Sequence, residues 1–166
     1  MGKRTKIILG VVIVIVVAAI AIPMYMSKQY STFRAEVIDH MDMLDTLELL
    51  TIRKIPTSDP NNEEEVIIRD PQEIKEMLKL AKDIELRRVR KMDISERNSY
   101  YYEWRLLIKK EDRFTEGFGI TFYNEHAVSI YSEYKTRDKH EDYEITNAIN
   151  FNEMERLFTN LKEGKE

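Results

Sequence analysis

Asp138, His140 and Asp142 stand at i, i+2 and i+4, the spacing at which oxygen ligands enter a calcium-binding loop. Such a loop also needs glycine at its sixth position and glutamate at its twelfth. Tyr143 and Ile149 stand there instead, so the trio reads as a solvated loop. His140-Glu141 opens like the zinc-protease motif H-E-x-x-H, but Glu144 occupies the place of the second histidine. The three histidines, His40, His126 and His140, are scattered along the chain with no short-range ligand pair, and no metal site is expected. There is no G-x-S-x-G elbow, and the five glycines form neither a phosphate-cradling loop nor a dinucleotide fingerprint. Glu63, Glu64 and Glu65 lie in a loop where nothing would raise a carboxyl pKa. No catalytic residue and no cofactor is expected, and the chain does not read as an enzyme.

Two groups of residues suit binding better than catalysis. Arg87, Arg88, Arg90 and Lys91 make the one concentrated positive patch, with strand alternation placing Arg88 and Arg90 on one face and Arg87 and Lys91 on the other. Charge of this kind protects an edge strand from aggregation. It also suits contact with anionic lipid headgroups or wall polymers. The aromatic set Tyr100, Tyr101, Tyr102, Trp104, Phe118, Phe122, Tyr123, Tyr131 and Tyr134 mostly alternates inward. Tyr101 and Tyr123 point outward and are candidates for a partner-binding face.

These groups stand in a chain whose stretches differ sharply in composition. Of 166 residues, 26 are basic and 30 acidic. Setting aside Lys3, Arg4 and Lys6 leaves 23 basic against 30 acidic, a net charge of −7 that argues against nucleic acid as a partner. The absence of cysteine removes disulfides, thiolate metal sites, a cysteine nucleophile and a lipid-modified cysteine. No N-x-[ST] acceptor occurs. A bacterial envelope therefore fits better than a eukaryotic secretory pathway.

Residues Ile7–Met26 are uncharged and follow the basic hexamer MGKRTK. Twenty residues at a rise of about 1.5 Å cover roughly 30 Å, the thickness of a bilayer's hydrocarbon core. Twelve of the twenty are Ile, Leu or Val, which contribute roughly −4 to −7 kcal/mol to insertion. The expectation is an uncleaved signal anchor with the tail 1–6 in the cytoplasm, held there by Lys3, Arg4 and Lys6. Cleavage after Ala21 is the competing expectation, because Ala19-Ile20-Ala21 has the small-x-small form of a signal-peptide site. A six-residue tail holds no effector domain, so any inward signal needs a partner helix.

Beyond the anchor, Tyr30, Phe33, Val37, Met41 and Leu44 share one helical face, which predicts a helical stalk over 27–44 packing on its own domain. Strands are expected at Leu47–Ile55, Val66–Arg69, Ile84–Met92, Tyr100–Lys110, Phe118–Tyr123, Ala127–Tyr134 and Tyr143–Ile149. Two helices carry start signals: Asp70 as cap with Pro71 and Glu73 behind it, and Asn150 with Glu153. The stripe Ile74, Met77, Leu78 and Ala81 recurs 80 residues later as Met154, Leu157, Phe158 and Leu161, which raises the question of a pseudo-repeat.

The fold expected for 45–166 is α+β: one mostly antiparallel sheet of about five to six strands, with both helices on the Trp104 face. The function expected is that of a membrane-tethered, non-enzymatic accessory module acting on another envelope protein. A sensor for a ligand or anionic polymer at the membrane surface is the second reading. A hydrolase assembled from residues distant in sequence is the third.

Overall fold

The computed structural model of the chain describes residues 12–22, 29–41, 47–94, 98–110, 113–133, 139–147 and 149–164. The chain divides into two compact units, Met1–Tyr30 and Ser31–Glu166. In the first unit, residues 12–22 form helix α1. Its Val, Ile and terminal side chains are exposed all round, from Val12 at 49% to Val14 at 68%. Among the described residues no helix is long and apolar enough to cross a membrane. The expected span Ile7–Met26 is thus unsupported by the structure, which shows helix over eleven of its residues; the rest of the run and the basic tail lie outside the described residues.

The second unit is built on one antiparallel sheet of eight strands, more than the five to six that periodicity suggested. In chain order they are β1 (Tyr30–Thr32), β2 (Leu47–Pro56), β3 (Glu64–Ile68), β4 (Glu85–Val89), β5 (Tyr100–Lys110), β6 (Arg113–Asn124), β7 (Ala127–Ser132) and β8 (Lys139–Ile145). Across the sheet the order is β1-β4-β8-β7-β6-β5-β2-β3. Strands β5 to β8 are a meander, and β2 and β3 are a hairpin. Helix α3 (Pro71–Ala81) then carries the chain from β3 at one edge to β4 near the other. The return from β4 brings the chain back to the centre, where β5 lies between β6 and β2. Gly117 is the extra residue where the β5–β6 register shifts between Leu106 and Leu107, a bulge in β6.

Helix formation follows the local signals. The Asp70 carboxylate accepts hydrogen bonds from the backbone N–H groups of Gln72 (2.7 Å) and Glu73 (3.3 Å), and Pro71 takes the first helical position. All four stripe residues of α3, Ile74, Met77, Leu78 and Ala81, are buried. Asn150 caps α4 (Phe151–Glu163) by accepting from Glu153 N–H at 3.0 Å, and Phe151, Met154 and Phe158 are buried. The segment after β1 forms a five-residue π-helix, Arg34–Ile38, and a last helical turn, α2 (Asp39–Met41). Phe33 and Val37 from this segment are fully buried.

Register decides which face these helices cover. Leu50, Trp104, Phe122 and Tyr143 lie on one face with their cross-strand partners, and they share the core with the stripes of α3 and α4. Trp104 packs edge-on against Phe122 (centroids 5.0 Å), Phe33 stacks on Phe122 (6.2 Å), and Tyr102 meets Phe151 and Phe158. The Trp104 face is therefore the buried one. None of the domain's described helices covers the other face.

Several parts of the fold differ from the sequence reading. Glu64 and Glu65, expected in a loop, open β3, and β6 starts at Arg113 rather than at Phe118. Residues Lys139–Asp142, expected within a charged loop, are the first half of β8. Tyr30–Thr32, expected as helix, is a strand. Strand β4, expected to need protection as an edge, has β1 beyond it. The strand–helix units suggested as a repeat also occupy unlike places, since β3 has one neighbour and β8 lies between β7 and β4.

Candidate functional site

The open face of the sheet carries the residues that alternate with the core set. On β5 these are Tyr101, Glu103, Arg105 and Leu107; the register brings Arg53 beside Glu103, and Gly119 and Thr121 beside Arg105 and Glu103. Tyr101 and Tyr123 are neighbours here, with ring centroids 6.0 Å apart and planes tilted by 30°. Both are half-buried. With Thr57 and Ile94 they line a cavity of about 170 Å³. Burial, reinforced by the Glu103 carboxylate and by Tyr123, pushes the Tyr101 phenol above its ordinary value, so it is a neutral hydroxyl at any physiological pH.

An ion-pair network borders the tyrosines. The Arg53 guanidinium donates to Glu63 (2.9 Å) and Glu103 (2.6 Å), and Arg105 donates to the other oxygen of Glu103 (2.8 Å). Burial alone would lower the Arg53 pKa, but the bond to Glu63 and the charge of Glu103 outweigh it and hold the guanidinium above its usual value. The backbone beneath the pair is fixed at one end. Thr57 N–H donates to the Ser99 carbonyl (2.9 Å), and Thr57 Oγ1 donates to the Asn98 carbonyl (2.8 Å). The arrangement is a mixed aromatic and charged surface, and tyrosine and arginine are residue types enriched at protein contacts.

The positive patch is split. Arg87 is paired with Glu144 and Arg88 with Glu141, both acids of β8. Arg88 also shares its surroundings with Tyr143, whose hydroxyl donates to Glu141 at 2.7 Å. Strand β4 ends at Val89, so Arg90 and Lys91 lie beyond it and are exposed; the expected alternation does not reach them.

The histidines are placed apart. His140 lies 3.4 Å from Asp142 across exposed surface, and Asp138 falls outside the described residues. His126 sits in the two-residue turn between β6 and β7 and lines a cavity of about 340 Å³ with Lys91, Asp93 and Glu144. Among the described residues, no group of three or more His, Asp or Glu side chains is placed to hold a metal ion. Sequence reasoning missed this cavity. Its walls come from three segments that only the β4–β8 and β7–β8 pairings bring together.

No family model, curated protein or solved structure matches this chain. The functional reading therefore rests on the chemistry of its own surfaces.

Proposed function

We propose that the chain is a membrane-tethered, non-enzymatic binding module that holds another envelope protein against the open face of its sheet. The observation that carries this reading is the Tyr101–Tyr123 pair beside the Arg53–Glu103–Arg105 network. Tyrosine brings large contact area with few rotatable bonds, and arginine brings directed hydrogen bonds. Ordered pairs of this kind bind with little loss of side-chain freedom.

The tether is the apolar run Ile7–Met26, with the domain outside and the N-terminal tail inside. A helix that is apolar all round and exposed along its length needs lipid or another helix to cover it, and the exposed Val and Ile side chains of α1 are of this type. The basic residues ahead of the run supply the orientation.

The test is recovery of the partner from crosslinked native membranes, comparing the full chain with a Tyr101→Ala, Tyr123→Ala double variant. The expected result is one dominant partner recovered with the full chain and a drop of at least tenfold with the variant. Equal recovery from both would sink the reading.

A further inference from the structure

We propose that the cavity between the β4 exit, the β6–β7 turn and the end of β8 is a binding site for a small zwitterion, an α-amino acid with an aliphatic side chain. Its volume of about 340 Å³ stands at the low end of the range that small-molecule pockets occupy, about 300–1,000 Å³. That is room for a small metabolite.

The lining defines the chemistry. Lys91 and His126 can meet a carboxylate, Asp93 and Glu144 can meet an ammonium group, and Val89 and Met92 supply apolar wall. The Arg87 guanidinium, paired with Glu144 from the neighbouring strand, completes a set of two acids and two permanent cations. Their formal charges sum to zero, so the site offers groups of both signs and no net charge. A ligand that carries both signs on adjacent atoms is matched at each end.

The wall made by the β6–β7 turn and the end of β8 is held in place by hydrogen bonds. His126 N–H donates to Asn124 Oδ1 (2.8 Å), and the His126 carbonyl accepts from Ile145 N–H (2.8 Å), so the turn is pinned on both sides. Glu144 lies in the β8 ladder opposite Ala127 and is oriented by Arg87. Thr146 N–H donates to the Glu85 carbonyl (3.0 Å), which closes the β4–β8 end behind the cavity. A wall already in place loses little conformational freedom on binding. The cavity lies on the same face of the sheet as the tyrosines and meets their cavity through the neighbours Asp93 and Ile94, but amino-acid binding is measured without the partner protein and fails or holds independently of it.

Calorimetric titration of the full chain in mild detergent tests the proposal, with glycine, L-alanine, L-valine, L-leucine and L-methionine as probes. Isocaproate and isoamylamine are the controls, each lacking one charge of leucine. At least one of the five is expected to bind saturably, and both controls at least tenfold more weakly than leucine. Lys91→Gln and Asp93→Asn change exposed side chains outside any strand, and each should weaken binding at least tenfold while the chain still unfolds in one cooperative thermal transition. Absence of saturable binding by all five amino acids overturns the proposal. So does equal binding by the controls, or full affinity in both variants.

Discussion

Glu155 joins α4 to the sheet through charge as well as packing. Lys54 Nζ lies 2.6 Å from one carboxylate oxygen, and the Tyr102 hydroxyl donates to the other. The same ammonium sits 4.2 Å over the Tyr100 ring. Burial alone would raise the Glu155 carboxyl, but the hydrogen bonds from Lys54 and Tyr102 outweigh it and hold the group below the ordinary carboxylate range. Burial and the Glu155 charge push the Tyr102 phenol far up, so it remains a donor. Because the folded pKa of Glu155 is the lower one, the unfolded chain takes up its proton first as the pH falls. The contribution is complete above the unfolded value of about 4.3 and is lost as the pH drops through the folded value. Thermal melts between pH 7 and pH 3 should therefore show the wild-type chain losing stability more steeply below pH 5 than Glu155→Gln does. At pH 7 the variant should be weaker by about 1–2 kcal/mol. Parallel melting curves would show that this carboxylate carries none of the acid sensitivity. Nothing in the sequence marked the cluster, since Lys54 and Glu155 are 101 residues apart and Glu155 lies off the apolar stripe.

At the scale of elements, α3 shows how much a local code can specify. Asp70, Pro71 and a stripe at i, i+3, i+4 and i+7 fix its start and its buried face with no help from distant residues. Replacing Asp70 by Ala should cost about 1 kcal/mol in urea unfolding, with the slope of the transition unchanged. Asn150→Ala should cost a similar amount at α4, and no loss from either would remove the caps from the account. Strand β5 was equally legible, because strict alternation assigns Tyr102, Trp104 and Leu106 to one face and Tyr101 and Glu103 to the other. The outward direction of Tyr101 and Tyr123 followed from the same rule. Their contact did not, since it needs the β5–β6 register. Strand β8 was illegible for a physical reason. Its first residues, Lys139 to Asp142, have loop composition, and what makes them a strand comes from neighbours: Arg88 pairs with Glu141, and Ser129 Oγ donates to Asp142 at 2.6 Å. Strand β1 spans three residues, too few for any periodicity to register.

At the scale of the whole molecule, one face of an eight-stranded sheet is sealed by helices and the other presents ordered tyrosines, arginines and glutamates. The seal makes the domain stable, and the open face gives it a surface on which side chains are already placed. The proposed tether confines that surface to the neighbourhood of a membrane, where a partner is met in two dimensions rather than three and modest affinity suffices. The most direct test is a photo-reactive side chain placed at Thr121, on the open face opposite Glu103, and separately at Lys75, on the exposed side of α3. Irradiated in intact membranes, the Thr121 position should give one dominant adduct with another protein and the Lys75 position none, and Tyr101→Ala should abolish the adduct. Equal labelling from both positions, or an adduct that survives Tyr101→Ala, would contradict the claim that this face is where the partner binds.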